Sequence, residues 1–478
     1  TEIYTLSLHD ALPICGRKLS AQVVHGRSLR PDGAWELSGR PARMGSVSSE
    51  DNVAIVDERS GWRRDITLFL TGQTVSLFGS MLVQYAVMWY LTLTTKDGTV
   101  LALSTVFGFL PQAIISIFGG VWADRHNRKL LIIGADASIA LATATLAILM
   151  FLGNRDLWLI YVALAVRSAG AGIQTPAVGA LLPQIVPTDR LLSINGINQS
   201  IQAGMMLIAP AVAAVLYATL PLYWILGVDV LTAAIGIGFM TLIPVAKVVR
   251  SEAVPAGYFS DLSAGFRYTI THPLIRWLLG LYAVVMVLAA APSFLTPLMV
   301  ARSFGEEVWK LTVLELSFSI GMMLAGATIG AWGKRFSRIG LIVGSSIGFG
   351  VLSIGMGLSS NLWVFFGFMF LTGVTVPVFS TPSMTVLQET VEPERQGRVF
   401  GFFGIVSATA MPVGMAVFGP LANLRSVEFV LIMAGLITLV VAAIALLLPS
   451  GRRAMRAARD HTDPLSHGQV DATEVGPA

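Results

Sequence analysis

From Trp62 onward, apolar runs of about 20 residues alternate with short polar connections. A helix of that length spans about 30 Å, the thickness of a bilayer's hydrocarbon core. Twelve such helices are predicted, over 65–93, 99–123, 129–152, 157–182, 192–218, 222–245, 274–300, 309–333, 339–359, 362–387, 398–422 and 427–449. None shows the period-two alternation of a strand, so the reading is an all-α membrane protein.

Internal repetition divides the twelve into two sixes. The stretch Gly120-Val-Trp122-Ala-Asp124-Arg125-x-x-Arg128 returns as Gly330-Ala-Trp332-Gly-Lys334-Arg335-x-x-Arg338, and Thr175-Pro176 returns as Thr381-Pro382. Two independent matches at nearly one offset predict a duplicated six-helix unit running the same course through the membrane. The expected organisation is an N-terminal segment 1–61, a six-helix bundle 62–245, a linker 246–273, a second bundle 274–449 and a tail 450–478. Terminal segments this polar are expected to be disordered. Residues 1–14 match the translation of a sequencing adapter and are set aside as an artefact, with Met44 as the expected start. The linker is read either as a plain connection or as a short amphipathic helix along the membrane surface.

Composition agrees with this class. The 478 residues are 54% hydrophobic and 13% charged, with mean hydropathy +0.72, whereas soluble domains carry about 25% charge. The net charge of +4 does not point to nucleic acid, because the cations are scattered over short loops. Those loops alternate between cation-rich and cation-poor, which predicts that both termini and the loop between spans six and seven are cytoplasmic. The single cysteine, Cys15, precedes Met44, so no disulfide or cysteine-based metal site is expected. No cofactor or metal is expected, and motifs of hydrolases and nucleotide-binding pumps are missing from the sequence.

The connection between spans two and three reads G-x-x-x-D-R-x-x-R-K, from Gly120 through Asp124, Arg125 and Arg128 to Lys129. So short a reversal suits Asn127, which tolerates a left-handed backbone. Asp124 is placed to accept hydrogen bonds from the next helix or from a guanidinium, as a latch. Asp136, about two turns into span three, is the expected partner of the loop's arginines. This spacing resembles the loop between helices two and three of the major facilitator superfamily, with Asn127 where that family usually has glycine. The resemblance implies two pseudo-twofold-related bundles, with the loop as the cytoplasmic latch holding the halves together.

Polar groups inside spans are costly and mark function. Arg167 lies deep in span four, followed by Gly170 and Gly172. It reads either as a structural arginine or, by resemblance to the superfamily's helix-four motif, as part of proton transfer. Glu315 in span eight is the expected proton-carrying carboxylate, and Asp229 in span six is expected to cap or pair locally. Gln73, Ser76, Ser80 and Gln84 share one face of span one, while Asn195, Asn198, Gln199 and Gln202 share one of span five. Such stripes either orient a substrate or bond helices together. Gln84, Met88, Gln202, Phe294 and Phe403 are the substrate-cavity candidates, and Pro210 and Pro412 the expected helix kinks.

Beyond the loop, the Arg167-to-Pro176 segment and Gln396-Gly397-Arg398-Val399-Phe400-Gly401 resemble the macrolide-efflux and enterobactin-exporter branch of the superfamily. That resemblance implies a monomeric bacterial inner-membrane exporter of an amphipathic small molecule, driven by protons through alternating access. An importer or uniporter of the same fold would share every loop motif and stands as the alternative.

Overall fold

The computed structural model describes residues 61–245 and 266–447. Among these, twelve helices are long and apolar enough to cross a bilayer. They are α1 (Trp62–Thr95), α2 (Gly98–Arg125), α3 (Arg128–Phe151), α4 (Leu157–Ile185), α5 (Leu191–Thr219), α6 (Leu222–Thr241), α7 (Pro273–Phe294), α8 (Val308–Trp332), α9 (Arg338–Leu358), α10 (Leu362–Thr390), α11 (Pro393–Leu424) and α12 (Val427–Leu447). The readings of 1–60, of most of the linker and of the tail lie outside the described residues. Residues 266–271, just before α7, are helical.

Helix ends follow local chemistry. The carboxylate of Asp97 accepts from the amides of Thr99 and Val100, starting α2, and Asn361 does the same for α10 through Trp363 and Val364. Pro393 at the first turn of α11 starts that helix five residues before its predicted 398, extending it through a polar segment that hydropathy alone passes over. Past Phe294, the α7 span continues through a short helix, Thr296–Met299, and a π turn, Val300–Phe304. Asn127 departs from expectation. Its backbone is extended, with φ −66°, and its side chain caps α3 by accepting from Lys129 and Leu130 amides. A short capped reversal needs no left-handed residue, and the one non-glycine at positive φ among the described residues is Lys96, at the α1–α2 turn.

Helix packing carries the duplication. Within the first half α1 packs on α5 and α6, α2 on α4, and α3 on both α4 and α6. Adding six to each number gives the packing of the second half: α7 with α11 and α12, α8 with α10, α9 with α10 and α12. The main contacts between halves, α2 with α11 and α5 with α8, exchange under the same operation. The two six-helix bundles are thus related by a pseudo-twofold.

The buried core is divided unevenly along the membrane normal. At the end carrying the α1–α2 turn, one apolar cluster runs through both halves, including Leu91, Trp89, Leu298, Leu311, Phe365 and Met415. At the end carrying the α2–α3 loop there are two clusters, one confined to each half: Ile132, Leu181 and Ile243 in the first, Ile275, Ile342 and Leu387 in the second. The halves are welded at one end and separate at the other, leaving a cleft open toward the α2–α3 loop.

Candidate functional site

Within this frame the first half holds a cavity of about 330 Å³, walled by α1, α2 and α4 and reached by Phe294 from α7. Gln84, Met88 and Phe294, all expected there, do line it. Phe294 meets Phe109 of α2 edge to face, with centroids 5.8 Å apart, so the two halves share an aromatic wall. Ser80, Gln112, Arg167, Ser168 and Gln174 supply its polar groups.

Arg167 is anchored in the cavity wall. One Nη1 donates to Asp229 of α6 and, at 2.5 Å, to the Thr143 hydroxyl of α3, while Nη2 donates to the Ser80 carbonyl at 3.4 Å. Asp229 also accepts from Ser80 Oγ at 3.2 Å and Thr143 Oγ1 at 3.3 Å. Four helices therefore meet at one ion pair whose side chains are 13% and 1% exposed. Ionised groups in a membrane interior persist only when paired and hydrogen-bonded, and here both conditions are met. Asp229 was expected to act locally; its partner instead comes from α4. The residues enter their helices from the same side, seven residues past Leu222 and ten past Leu157, so both lie roughly 10–15 Å deep.

Asp136 is tied to α4 as well, accepting from Gln174 Nε2 at 2.5 Å, and its other carboxylate oxygen is buried without a partner. This differs from the expected pairing with the loop arginines, because Asp136 sits on the helix face that packs against α4 rather than on the one that leads to the loop. Glu315, in the second turn of α8, does not line the cavity. It follows Leu311 and Leu314, which belong to the apolar joint of the two halves, lies within electrostatic reach of Tyr85 on α1, and makes no ion pair or hydrogen bond among the described residues.

The α2–α3 loop works chiefly inside the first half. Arg128 donates to the carbonyls of Ala123 at 3.0 Å and Ala180 at 2.7 Å, and Lys129 Nζ to those of Thr241 at 2.9 Å and Ile243 at 2.7 Å. Arg128 thus caps the C-terminus of α2 and ties it to α4, and Lys129 caps the end of α6, where carbonyls otherwise lack donors. Arg125 is exposed, Gly120 has open space about it, and the Asp124 side chain lies outside the described residues. The second half answers with Arg338, at the start of α9, ion-paired to Glu389 near the end of α10.

The fold and its repeat match a known family. Residues 65–477 match the family described as transmembrane secretion effector, a branch of the major facilitator superfamily. The chain belongs to that family. This major facilitator transporter is 30% identical over 398 residues to macrolide efflux protein A of Streptococcus pyogenes, covering 81% of this chain and 97% of the relative. It is 31% identical over 328 residues to macrolide efflux protein A of Enterococcus faecalis, covering 66% of this chain and all of the relative. Among solved structures, a bacterial homologue of the human lysosomal transporter Spinster, inward-facing and unoccupied, superposes with TM-score 0.60 at 14% identity, over 84% of this chain and 98% of that one.

Other expected residues of the transporter fall elsewhere. Gln202 is exposed on α5 and is not part of the cavity, because the cavity is walled by α1, α2 and α4. Phe403 belongs to the second half, where it packs at a tilt against Tyr282 with centroids 4.3 Å apart. Pro210 and Pro412 are buried inside α5 and α11, both of which run on without interruption.

A second cluster escaped the sequence reading entirely. Across the α1–α2 end, Asn423 of α11 donates to Asp97 Oδ1 at 2.6 Å and Thr99 Oγ1 at 3.0 Å, and accepts from the Gly98 amide at 2.9 Å. Arg302, on the extension of α7, donates to the Lys96 carbonyl at 2.5 and 3.1 Å, to the Ala422 carbonyl at 2.9 Å and to Asn423 Oδ1 at 2.9 Å. Lys96 and Glu306 form an ion pair beside them. Burial pushes the Asp97 carboxyl up, but the Asn423 amide and the Val100 and Thr99 donors outweigh it and hold Asp97 below its ordinary value. Its signal in the sequence is only a set of ordinary loop residues. Their convergence depends on which turns the fold brings together.

Proposed function

We propose that this transporter exports an amphipathic small molecule from the cytoplasm in exchange for protons, by rocking its two halves about the joint at the α1–α2 end. The α2–α3 end, where Arg125, Arg128, Lys129, Lys334, Arg335 and Arg338 cluster, faces the cytoplasm by the cation rule. The cleft thus opens to the side from which an exported molecule is collected. Likeness to two macrolide efflux proteins supports the direction.

The observation that carries the coupling is the Arg167–Asp229 pair standing in the cavity wall. A proton placed on Asp229 removes the charge that anchors Arg167 and frees the guanidinium to swing into the cavity, where it displaces cargo, while cargo that fills the cavity holds Arg167 back against Asp229. Binding of one therefore opposes binding of the other through a shared cation, as exchange requires. Glu315 supplies a second proton site, because opening the joint is what changes its surroundings most.

Everted membrane vesicles test this. With an imposed inward-acid gradient, wild type is expected to accumulate a macrolide inside the vesicles, and Asp229→Asn to accumulate it independently of the gradient or not at all. Gradient-driven loss of macrolide from the vesicles would instead establish the importer, and gradient-dependent accumulation by Asp229→Asn would remove Asp229 from the coupling.

A further inference from the structure

The second half contains a cavity of its own, about 420 Å³, that the proposed function does not use. Tyr282 of α7 and Phe403 of α11 form its apolar floor, with Phe379 stacked beneath Tyr282 at 5.5 Å. Its wall is one face of α10: Ser380, Thr381, Met384, Thr385 and Gln388, spaced alternately at one and three residues as a single helical stripe demands.

Two features tie it to the cavity in the first half. First, the duplicated Thr-Pro element places Gln174 and Thr175 in one cavity and Ser380 and Thr381 in the other, so the pseudo-twofold exchanges the two lining walls. The two walls are therefore equivalent positions in the two halves. Second, two polar side chains of this wall are unspent, although the Thr385 hydroxyl donates to the Thr381 carbonyl. Thr381 and Gln388 are exposed, and among the described residues neither the Thr381 hydroxyl nor the Gln388 side-chain amide has a hydrogen-bond partner. Unsatisfied polar groups on a spanning helix do not face lipid; they face water or a ligand.

The two cavities differ in chemistry. The first contains the guanidinium of Arg167, whereas no charged side chain lines the second. Aromatic faces beside free hydroxyls and an amide suit a molecule that presents an apolar ring surface edged with hydroxyl and ether oxygens. We propose that the Tyr282–Phe403 cavity is the half-site that selects oxygen-rich, uncharged portions of the cargo, with Thr381 and Gln388 as the specificity-determining residues. This rests on the reading of the chain as an exporter of amphipathic molecules. A cargo reaching from the charged half-site to the neutral one grips both halves, which is what lets its binding bias their rocking.

The test uses the full chain in lipid nanodiscs, with equilibrium binding of erythromycin, rich in hydroxyl and ether oxygens, and ethidium, an aromatic cation lacking them. The double variant Thr381→Val, Gln388→Leu keeps side-chain bulk on an exposed face. It is expected to weaken erythromycin binding by about tenfold and ethidium binding by less than about twofold, the loss of two hydrogen bonds to one ligand only. Unchanged erythromycin affinity, equal weakening of both probes, or no erythromycin binding by wild type would each overturn the half-site. Proteoliposome flux run in parallel separates the two readings. If erythromycin moves without regard to the proton gradient while the binding difference persists, the exporter reading fails and the half-site stands.

Discussion

Replacing Asn423 by alanine isolates what the polar clamp contributes to holding the α1–α2 end shut. Asn423 makes three hydrogen bonds that cross between the halves, one of them to the ionised Asp97. A charge-assisted bond contributes about 1.5–3 kcal/mol and a neutral one about 0.5–1.5 kcal/mol, but the site is exposed and water replaces part of each. Discounting for that leaves about 2 kcal/mol, or a change of about thirtyfold in the ratio of sealed to open molecules. Spin labels at Asn154→Cys and Ser360→Cys, with Cys15→Ser, report the separation of the two halves at this end by electron–electron double resonance. Asn423→Ala should add a long-distance component that wild type lacks. The control is Asn361→Ala, an asparagine at the same end whose two bonds, to Trp363 and Val364, stay inside one half. If Asn361→Ala separates the labels as much as Asn423→Ala, or if neither does, the clamp does not set the equilibrium.

Further outcomes follow from the buried pair, the loop and the helix crossings. Arg167→Gln should lower stability in detergent by about 3 kcal/mol by leaving Asp229 buried and uncompensated, and adding Asp229→Asn should restore most of it; thermal unfolding of the single and double variants measures both. Lys129→Met removes the donor to two carbonyls at the end of α6, costing about 1 kcal/mol, read as faster amide hydrogen exchange in the last turn of α6. Gly119→Leu should abolish stable expression, since a Cβ there would lie 2.6 Å from the Gly172 carbonyl oxygen of α4, whereas Gly134→Leu, with open space around it, should express normally. For Asp97 the depressed folded value means that its contribution is present above the ordinary carboxylate range and is lost only as pH falls through that depressed value. The difference in spin-label distance between wild type and Asp97→Asn should therefore be flat between about pH 5 and pH 8 and disappear in stronger acid.

What could be read from the chain alone was what depends on one helix at a time. Span lengths, the repeat and the burial of Arg167 all leave periodic or compositional marks. The partner of Arg167 left none, because Asp229 lies sixty-two residues away and the pairing exists only where α3, α4 and α6 converge. Depth matching would have found it, since the two residues stand at similar distances from helix ends on the same side. Gln202 shows the opposite error. It has the chemistry of a cavity residue, yet rotation of α5 about its own axis decides what it faces, and a stripe of amides does not fix that rotation. The clamp of Arg302 and Asn423 lies beyond any such reading, since three separate segments supply it.

Where α2 crosses α11, Gly98 and Gly419 bring the two backbones into direct touch: a Cβ on either would lie 2.2 to 2.4 Å from the other's carbonyl oxygen. With no side chains to interlock, turning one half upon the other at that point changes no rotamer and opens no void. The crossing can serve as a bearing, worn smooth on both faces, while the surrounding hydrogen bonds act as the detent that decides when it turns.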